Sequence, residues 1–219
     1  MVVVTGSGAA PPGVVVVADP TTRCTDFEQA AKPAAAAARN VRLESAKAQW
    51  RLRHYPSGSV AGDQPYVAVV GGGEAGPDAL AAAEDVGRHL ARRGAVVLCG
   101  GLGGVMEAAC RGAKLEGGTT VGILPTDHRQ HANEYVDIAI ATGMGEARNA
   151  LVVRAADVLI AIDGEFGTLS EIALALRTDK PVVGIDTWDL SIDGQVVDAI
   201  LRVHDPVAAV EAALALAAS

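Results

Sequence analysis

"DVLIAIDGEFGTLSEIALALRTDKPVVGI", residues 157 to 185, reads as an apolar strand, a glycine turn, a helix and a second apolar strand in succession. The inner residues of DVLIAID are all apolar, the pattern of a strand buried on both faces of a parallel sheet. GTLSEIALALRTD follows with helical spacing, and PVVGI restores the strand pattern. A strand, a crossover helix and a second strand in so short a span define a βαβ unit.

The same rhythm extends upstream from Tyr66. YVAVVGG predicts a buried strand, and PDALAAAEDVGRHLARRG an amphipathic helix that opens on Pro77 and closes at Gly94. AVVLCG is a strand, GVMEAACRGAKLEG a helix, and TTVGILP and VDIAIA are strands. GEARNALVVRAA reads as a helix. Downstream, VVDAILRVH reads as a short edge strand. HDPVAAVEAALALAA closes the chain as a helix, with Asp205 as N-cap and Pro206 in its first turn. Strands alternating with helices imply an α/β fold: a Rossmann-like, doubly wound parallel sheet with helices on both faces.

Residues 1–62 break this pattern. VVVV at 14–17 has strand character, but AKPAAAAARN is low in complexity and Pro33 interrupts any helix there. HYPSGSVAGDQP at 54–65 has the composition of a linker. The expected organisation is an N-terminal extension over 1–62 and a nucleotide-binding domain over 63–219.

Composition narrows the function. Half of the 219 residues are hydrophobic but only 3% are aromatic, and 25 are glycine, as suits a Val/Ala/Leu/Ile core of strands crossed by Ala-rich helices. The net charge of −8, with only four lysines, disfavours nucleic acid as a partner. No apolar run reaches the roughly 18 residues of a membrane span, and the start MVVVTGSGAAPPG lacks a basic n-region. Cys24, Cys99 and Cys110 form neither a CxxC pair nor a disulfide set, which suits a reducing cytoplasm. Cys99 and Cys110 read as core residues. His128 and His131 sit in a polar loop without the partners a metal needs, so no metal site is expected.

Two strand-to-helix turns echo each other. GGLGGVME (100–107) and GEFGTLSE (164–171) both fit G-x-x-G-[G/T]-x-x-E, each after an apolar strand and before a helix. Ligands of doubly wound sheets gather at the carboxyl ends of the strands, where helix N-termini present free amide hydrogens and a positive dipole end. A phosphate-bearing small molecule is therefore the expected ligand, with Gly71, Gly72, Gly100, Gly101, Gly103, Gly104, Met106, Glu107, Gly164, Gly167 and Thr168 as its candidate contacts. Glu171 is open to two readings. Thr168-x-x-Glu171 fits a capping box, in which each side chain bonds the other's amide; the carboxylate could equally act on a ligand. Both roles are compatible, because such a cap stands at the strand-end crevice. Spacing alone makes Arg148 a surface arginine paired with Glu146 or Asp157.

Four stretches, GGLGGVMEAACRGA (100–113), TVGILP (120–125), ATGMGEARNALVVRAADVLIAI (141–162) and GTLSEIALAL (167–176), resemble the LOG family. This family sits within a wider group of Rossmann-like nucleotide-binding proteins once labelled possible lysine decarboxylases. The likeness spans about two-thirds of the chain and is nearest to a bacterial branch related to molybdenum cofactor carrier proteins. LOG enzymes split cytokinin nucleoside 5′-monophosphates into free base and ribose 5-phosphate, and their signature is P-G-G-x-G-T-x-x-E with an upstream M-x-x-R-K. The resemblance thus implies Glu171 and Arg148 as a catalytic pair, with Gly164, Gly167 and Thr168 on the phosphate loop. Asp163 stands in place of the motif's proline, Glu165 of its second glycine, Asn149 of its lysine and Gly145 of its methionine.

Two functions are thereby expected: a phosphoribohydrolase, or a carrier or sensor that holds a nucleotide or molybdenum cofactor without turnover. The chemistry of the first is coherent. Breaking an N-glycosidic bond develops positive charge on the ribose, which a carboxylate beside C1′ stabilises. DNA handling, implied by more distant kinship, conflicts with the charge. The decarboxylase label lacks a lysine in a defined pocket, since Lys114 and Lys180 fall in turn-like or helix-end contexts. No cofactor is implied. Relatives of this fold commonly form dimers, so a homodimer or higher homo-oligomer is the implied assembly.

Overall fold

A computed structural model of the chain describes residues 2–5, 15–17 and 64–218. Two compact units divide the chain, residues 1–17 with 64–219 and residues 18–63. The second unit, with the interruption at Pro33 and nearly all of the expected linker, lies outside the described residues.

Seven strands form one parallel sheet: β3 (Tyr66–Gly71), β4 (Val96–Cys99), β5 (Thr120–Leu124), β6 (Ile138–Ala141), β7 (Val158–Ile162), β8 (Val182–Ile185) and β11 (Ile200–Val203), in the order β11-β8-β7-β3-β4-β5-β6. The expected edge strand is thus β11. Among the described residues the α-helices are α1 (Pro77–Arg92), α2 (Val105–Leu115), α3 (Asn149–Ala155), α4 (Phe166–Arg177) and α5 (Pro206–Ala217). Asp205 caps α5 as its sequence predicts, its side chain accepting from the Ala208 amide at 2.8 Å.

Alternation along the central strands sorts the core into two layers. Val67 and Val69 of β3 pack with Val86 and Leu90 of α1, Ala109 of α2 and Val210 of α5. Ala68 and Val70 face the other way, against Val152 and Val153 of α3 and Ile172 of α4. Helices therefore cover both faces, and each fully buried Leu or Ile contributes about 1.5–3 kcal/mol. The layer of α1 and α2 is close-packed through glycine: a Cβ on Gly87 or Gly112 would strike the backbone carbonyl of Ala109 or Glu84.

Two findings depart from the sequence reading. The helix expected over GEARNALVVRAA is split into a 3-10 turn, Gly145–Arg148, and α3. Gly143 and Gly145 both hold positive φ, so no α-helix runs through Gly145. A second, antiparallel sheet of order β10-β9-β1-β2 was not foreseen; it joins β1 (Val2–Thr5) and β2 (Val15–Val17) to the hairpin of β9 (Asp189–Ile192) and β10 (Gln195–Val196).

Along the chain the large sheet grows in one direction from β3 to β6, and then β7 returns to pair with the far side of β3. This reversal opens a crevice at the carboxyl ends of β3 and β7.

Candidate functional site

Three loops and one arginine build the crevice. Residues 71–73 leave β3, and Gly100 leaves β4. Arg148 ends the 3-10 turn, and Glu165, Gly167 and Thr168 open α4. Val70, Met106, Asn149 and Glu171 complete a space of about 140 Å³. A larger and more open hollow, of about 480 Å³, lies at residues 127–130, but its four side chains are all exposed. A site for a charged ligand needs preorganised polar groups, so the smaller crevice is the candidate.

The first two loops interlock. Gly104, the residue before α2, has φ +65°, and a Cβ there would strike the carbonyl oxygens of Gly72 and Gly73. The Val105 amide donates to the Gly72 carbonyl at 3.1 Å. Only glycine at 104 lets these backbones approach so closely.

Arg148 is the cation of the site. Its guanidinium lies against Gly100, where a Cβ would come within 2.7 Å of Cζ. Nη1 donates to Asn149 Oδ1 at 2.8 Å and to Glu171 Oε1 at 3.3 Å. Asn149 in turn donates to Ser170 Oγ at 2.8 Å, tying the arginine to α4. Arg148 is only 8% exposed, so it is not a surface residue paired with Glu146 or Asp157; Asp157 instead accepts from the Tyr66 amide.

Glu171 does not cap its helix. The N-cap of α4 is Glu165, which places Thr168 in the first turn and Glu171 a turn further in. A capping box needs Thr168 at the N-cap, so the helix starts three residues too early for one. Arg148 takes the Glu171 carboxylate instead. Burial pushes its carboxyl up to about 7, with the Arg148 charge opposing.

Two buried polar atoms in the described residues have no hydrogen-bond partner, Arg148 Nε and Thr168 Oγ1. Both residues line the crevice. Leaving a buried polar atom unsatisfied costs about 1–3 kcal/mol, and such atoms ask for an explanation.

Of the residues singled out in the sequence, Gly71, Gly72, Gly100, Met106, Arg148, Gly167, Thr168 and Glu171 line the crevice. Gly101, Gly103, Gly104, Glu107 and Gly164 stand outside its lining. Gly101 packs on Leu124 and Gly122, and Gly164, at φ +130°, backs onto Thr168. Glu107 is half-buried beside Gly103. Val70, Gly73, Asn149 and Glu165 were not among the expected contacts. For Gly73 the signal was present, as the third glycine of a GGG run; for Asn149 it was adjacency to Arg148. Cys99 and Cys110 are buried in the core as expected, their sulfurs 3.5 Å apart in a cluster with Met106. Among the described residues no group of three or more His, Cys, Asp or Glu side chains could hold a metal, and no helix is long and apolar enough to cross a membrane.

Sheet order, two helical layers and a switch-point crevice define a Rossmann-like α/β protein. The chain belongs to the SLOG cluster4 family, whose model matches residues 64–214. It is similar to the molybdenum cofactor binding protein of Rippkaea orientalis, at 47% identity and TM-score 0.55, over 56% of this chain and 76% of that one. The molybdenum cofactor carrier protein of Chlamydomonas reinhardtii is 33% identical with TM-score 0.63, and the match covers 71% of this chain and 99% of that one. A cytokinin riboside 5′-monophosphate phosphoribohydrolase of Mycobacterium tuberculosis is 35% identical over 118 residues, 50% of this chain and 63% of that protein. The chain thus spans less than two-thirds of that enzyme's length. The LOG-like resemblance and its link to the carrier proteins both hold.

Proposed function

We propose that the crevice binds a phosphate-bearing small molecule, a nucleotide or a pterin-type phosphate such as the molybdenum cofactor, and that the chain serves as its carrier or sensor. The observation that carries this reading is the pair of unpartnered buried atoms, Arg148 Nε and Thr168 Oγ1, which belong to two residues lining the same small space. A phosphate oxygen would satisfy both. The first turn of α4 adds free amides and the positive end of a helix dipole. No histidine or cysteine lines the crevice, so a metal-bearing ligand would be recognised through its phosphate and its organic frame.

Carriage is favoured over turnover by the loop itself. Asp163 holds φ +51°, a conformation closed to the proline of the LOG signature, whose ring fixes φ near −65°. The turn therefore has a backbone of its own. Glu165, where the LOG signature has a glycine, also lines the crevice, its carboxylate 3.5 Å from where a Gly72 Cβ would lie, so the wall itself departs from that of the hydrolases.

One observation favours hydrolysis as the second reading. A Glu171 carboxyl that ionises near 7 is matched to proton transfer at neutral pH, and Arg148 beside it could steady the leaving group. In that reaction water adds to C1′, the N-glycosidic bond breaks, and the base leaves with a proton.

Calorimetric titration with inorganic phosphate, ribose 5-phosphate and AMP tests binding, and chromatography of the same mixtures tests base release. Binding without free base is the expected result. Base release that disappears in Glu171→Gln would establish the second reading. No binding of any phosphate-bearing probe would overturn both.

A further inference from the structure

Phe166 is the first residue of α4 and is 68% exposed, although its two chain neighbours, Glu165 and Gly167, both line the crevice. Single exposed apolar residues are common on protein surfaces. This one differs in being held. Its ring packs on Trp188 with centroids 5.7 Å apart and planes inclined by 36°. The Trp188 indole N–H donates to the Glu165 carbonyl at 3.2 Å. Arg202 Nη2 donates to the Trp188 carbonyl at 2.6 Å and pairs with Asp189 at the same distance. The aromatic pair is thus braced from behind and anchored to a residue of the crevice wall.

We infer that Phe166 is the stacking platform for a planar heterocycle carried by the phosphate-bearing ligand. The inference rests on the phosphate reading and adds to it the residue that would hold the ligand's ring. Trp188 packs against the ring at a tilt, and most of the Phe166 side chain remains exposed. Phe166, set in the chain between two residues of the crevice wall, is close enough to meet the body of a ligand seated by phosphate on the first turn of α4. Stacking needs a π-face and no hydrogen-bond code, so the platform accepts several bases. A small, rigid ring costs little conformational entropy to use, and Trp188 lowers that cost further.

The test compares ribose 5-phosphate with AMP and GMP by calorimetric titration, in wild type, Phe166→Ala and Phe166→Tyr, with the nucleotides checked by chromatography for integrity. Because the side chain is largely exposed, both variants are expected to fold, as circular dichroism would verify. In wild type the two nucleotides bind about tenfold or more tighter than the sugar phosphate. Phe166→Ala abolishes that advantage and leaves the ribose 5-phosphate affinity unchanged, while Phe166→Tyr retains it. Equal affinities for sugar phosphate and nucleotide in wild type would overturn the platform and leave phosphate binding standing. So would an alanine variant that weakens all ligands alike, or one that changes only the sedimentation coefficient. If ribose 5-phosphate and both nucleotides fail to bind, the phosphate reading falls and the platform with it.

Discussion

The turns at 100–107 and 164–171 share a spacing of glycines and a final glutamate, yet they do different work. In the first, glycine serves contact between backbones: Gly104 wedges against residues 72 and 73, and Glu107 stays half-buried at the side. In the second, Asp163 and Gly164 take positive φ, Thr168 is left with an idle hydroxyl, and Glu171 is drawn under the surface to Arg148. The repeated pattern encodes a strand-to-helix turn. What the turn does depends on what stands across from it, and Arg148 faces only one of the two glutamates.

The sharpest way to break the comparison is through the backbone. Gly104→Ala would place a Cβ on two carbonyl oxygens at positive φ, and is expected to cost about 3 kcal/mol or more. Gly103→Ala, one residue away, meets nothing closer than 3.7 Å and should cost under about 1 kcal/mol. Urea unfolding of the two variants measures the contrast. Equal losses would mean that the loops do not interlock as described.

The buried glutamate of the second turn should show itself by pH. Glu171 ionises near 7 in the folded chain against an ordinary 4.5. Between those values the folded state binds more protons than the unfolded, so stability from this group is full below 4.5 and is lost as pH rises through 7. The loss amounts to about 3 kcal/mol. Glu171→Gln should therefore unfold at higher urea than wild type above about pH 8, and flatten the fall between pH 4.5 and 7. An unaltered profile in Glu171→Gln would refute the raised ionisation.

Smallest in stability, though not in function, is Thr168→Val. The swap keeps the shape and removes a hydroxyl that bonds to nothing, so the unfolding midpoint should stay level or rise by up to about 1 kcal/mol. Phosphate affinity should drop by about fivefold or more if the hydroxyl meets the ligand, a hydrogen bond being worth about 1 kcal/mol. Calorimetry with inorganic phosphate reads the loss.

Much of this was visible in the amino-acid order. The inner strands of the large sheet are short apolar runs, and burial on both faces is what gives β4, β5, β7 and β8 that unbroken pattern. The second sheet escaped because β9 and β10 are short and largely exposed, which leaves no apolar alternation to read. A signal did exist: Asp193-Gly194, with φ +51° and +75°, is the residue pair that two-residue hairpins prefer. The capping box misled for a different reason. Thr168 and Glu171 have its spacing, but the side chain that claims Glu171 comes from 23 residues upstream, a partnership that local spacing cannot encode.

The seam between β3 and β7 also fixes when the crevice can exist. Tyr66 of β3 is tied to Asp157, beside β7, across 91 residues of chain. A ribosome must therefore deliver nearly the whole large sheet before the two walls meet, and closing so long a loop is the slow, entropically costly step of such topologies. The strands β3 to β6 precede Arg148 and α4 in the chain, and so precede one whole wall of the crevice. The crevice is therefore complete only once the chain has been synthesised through Glu171.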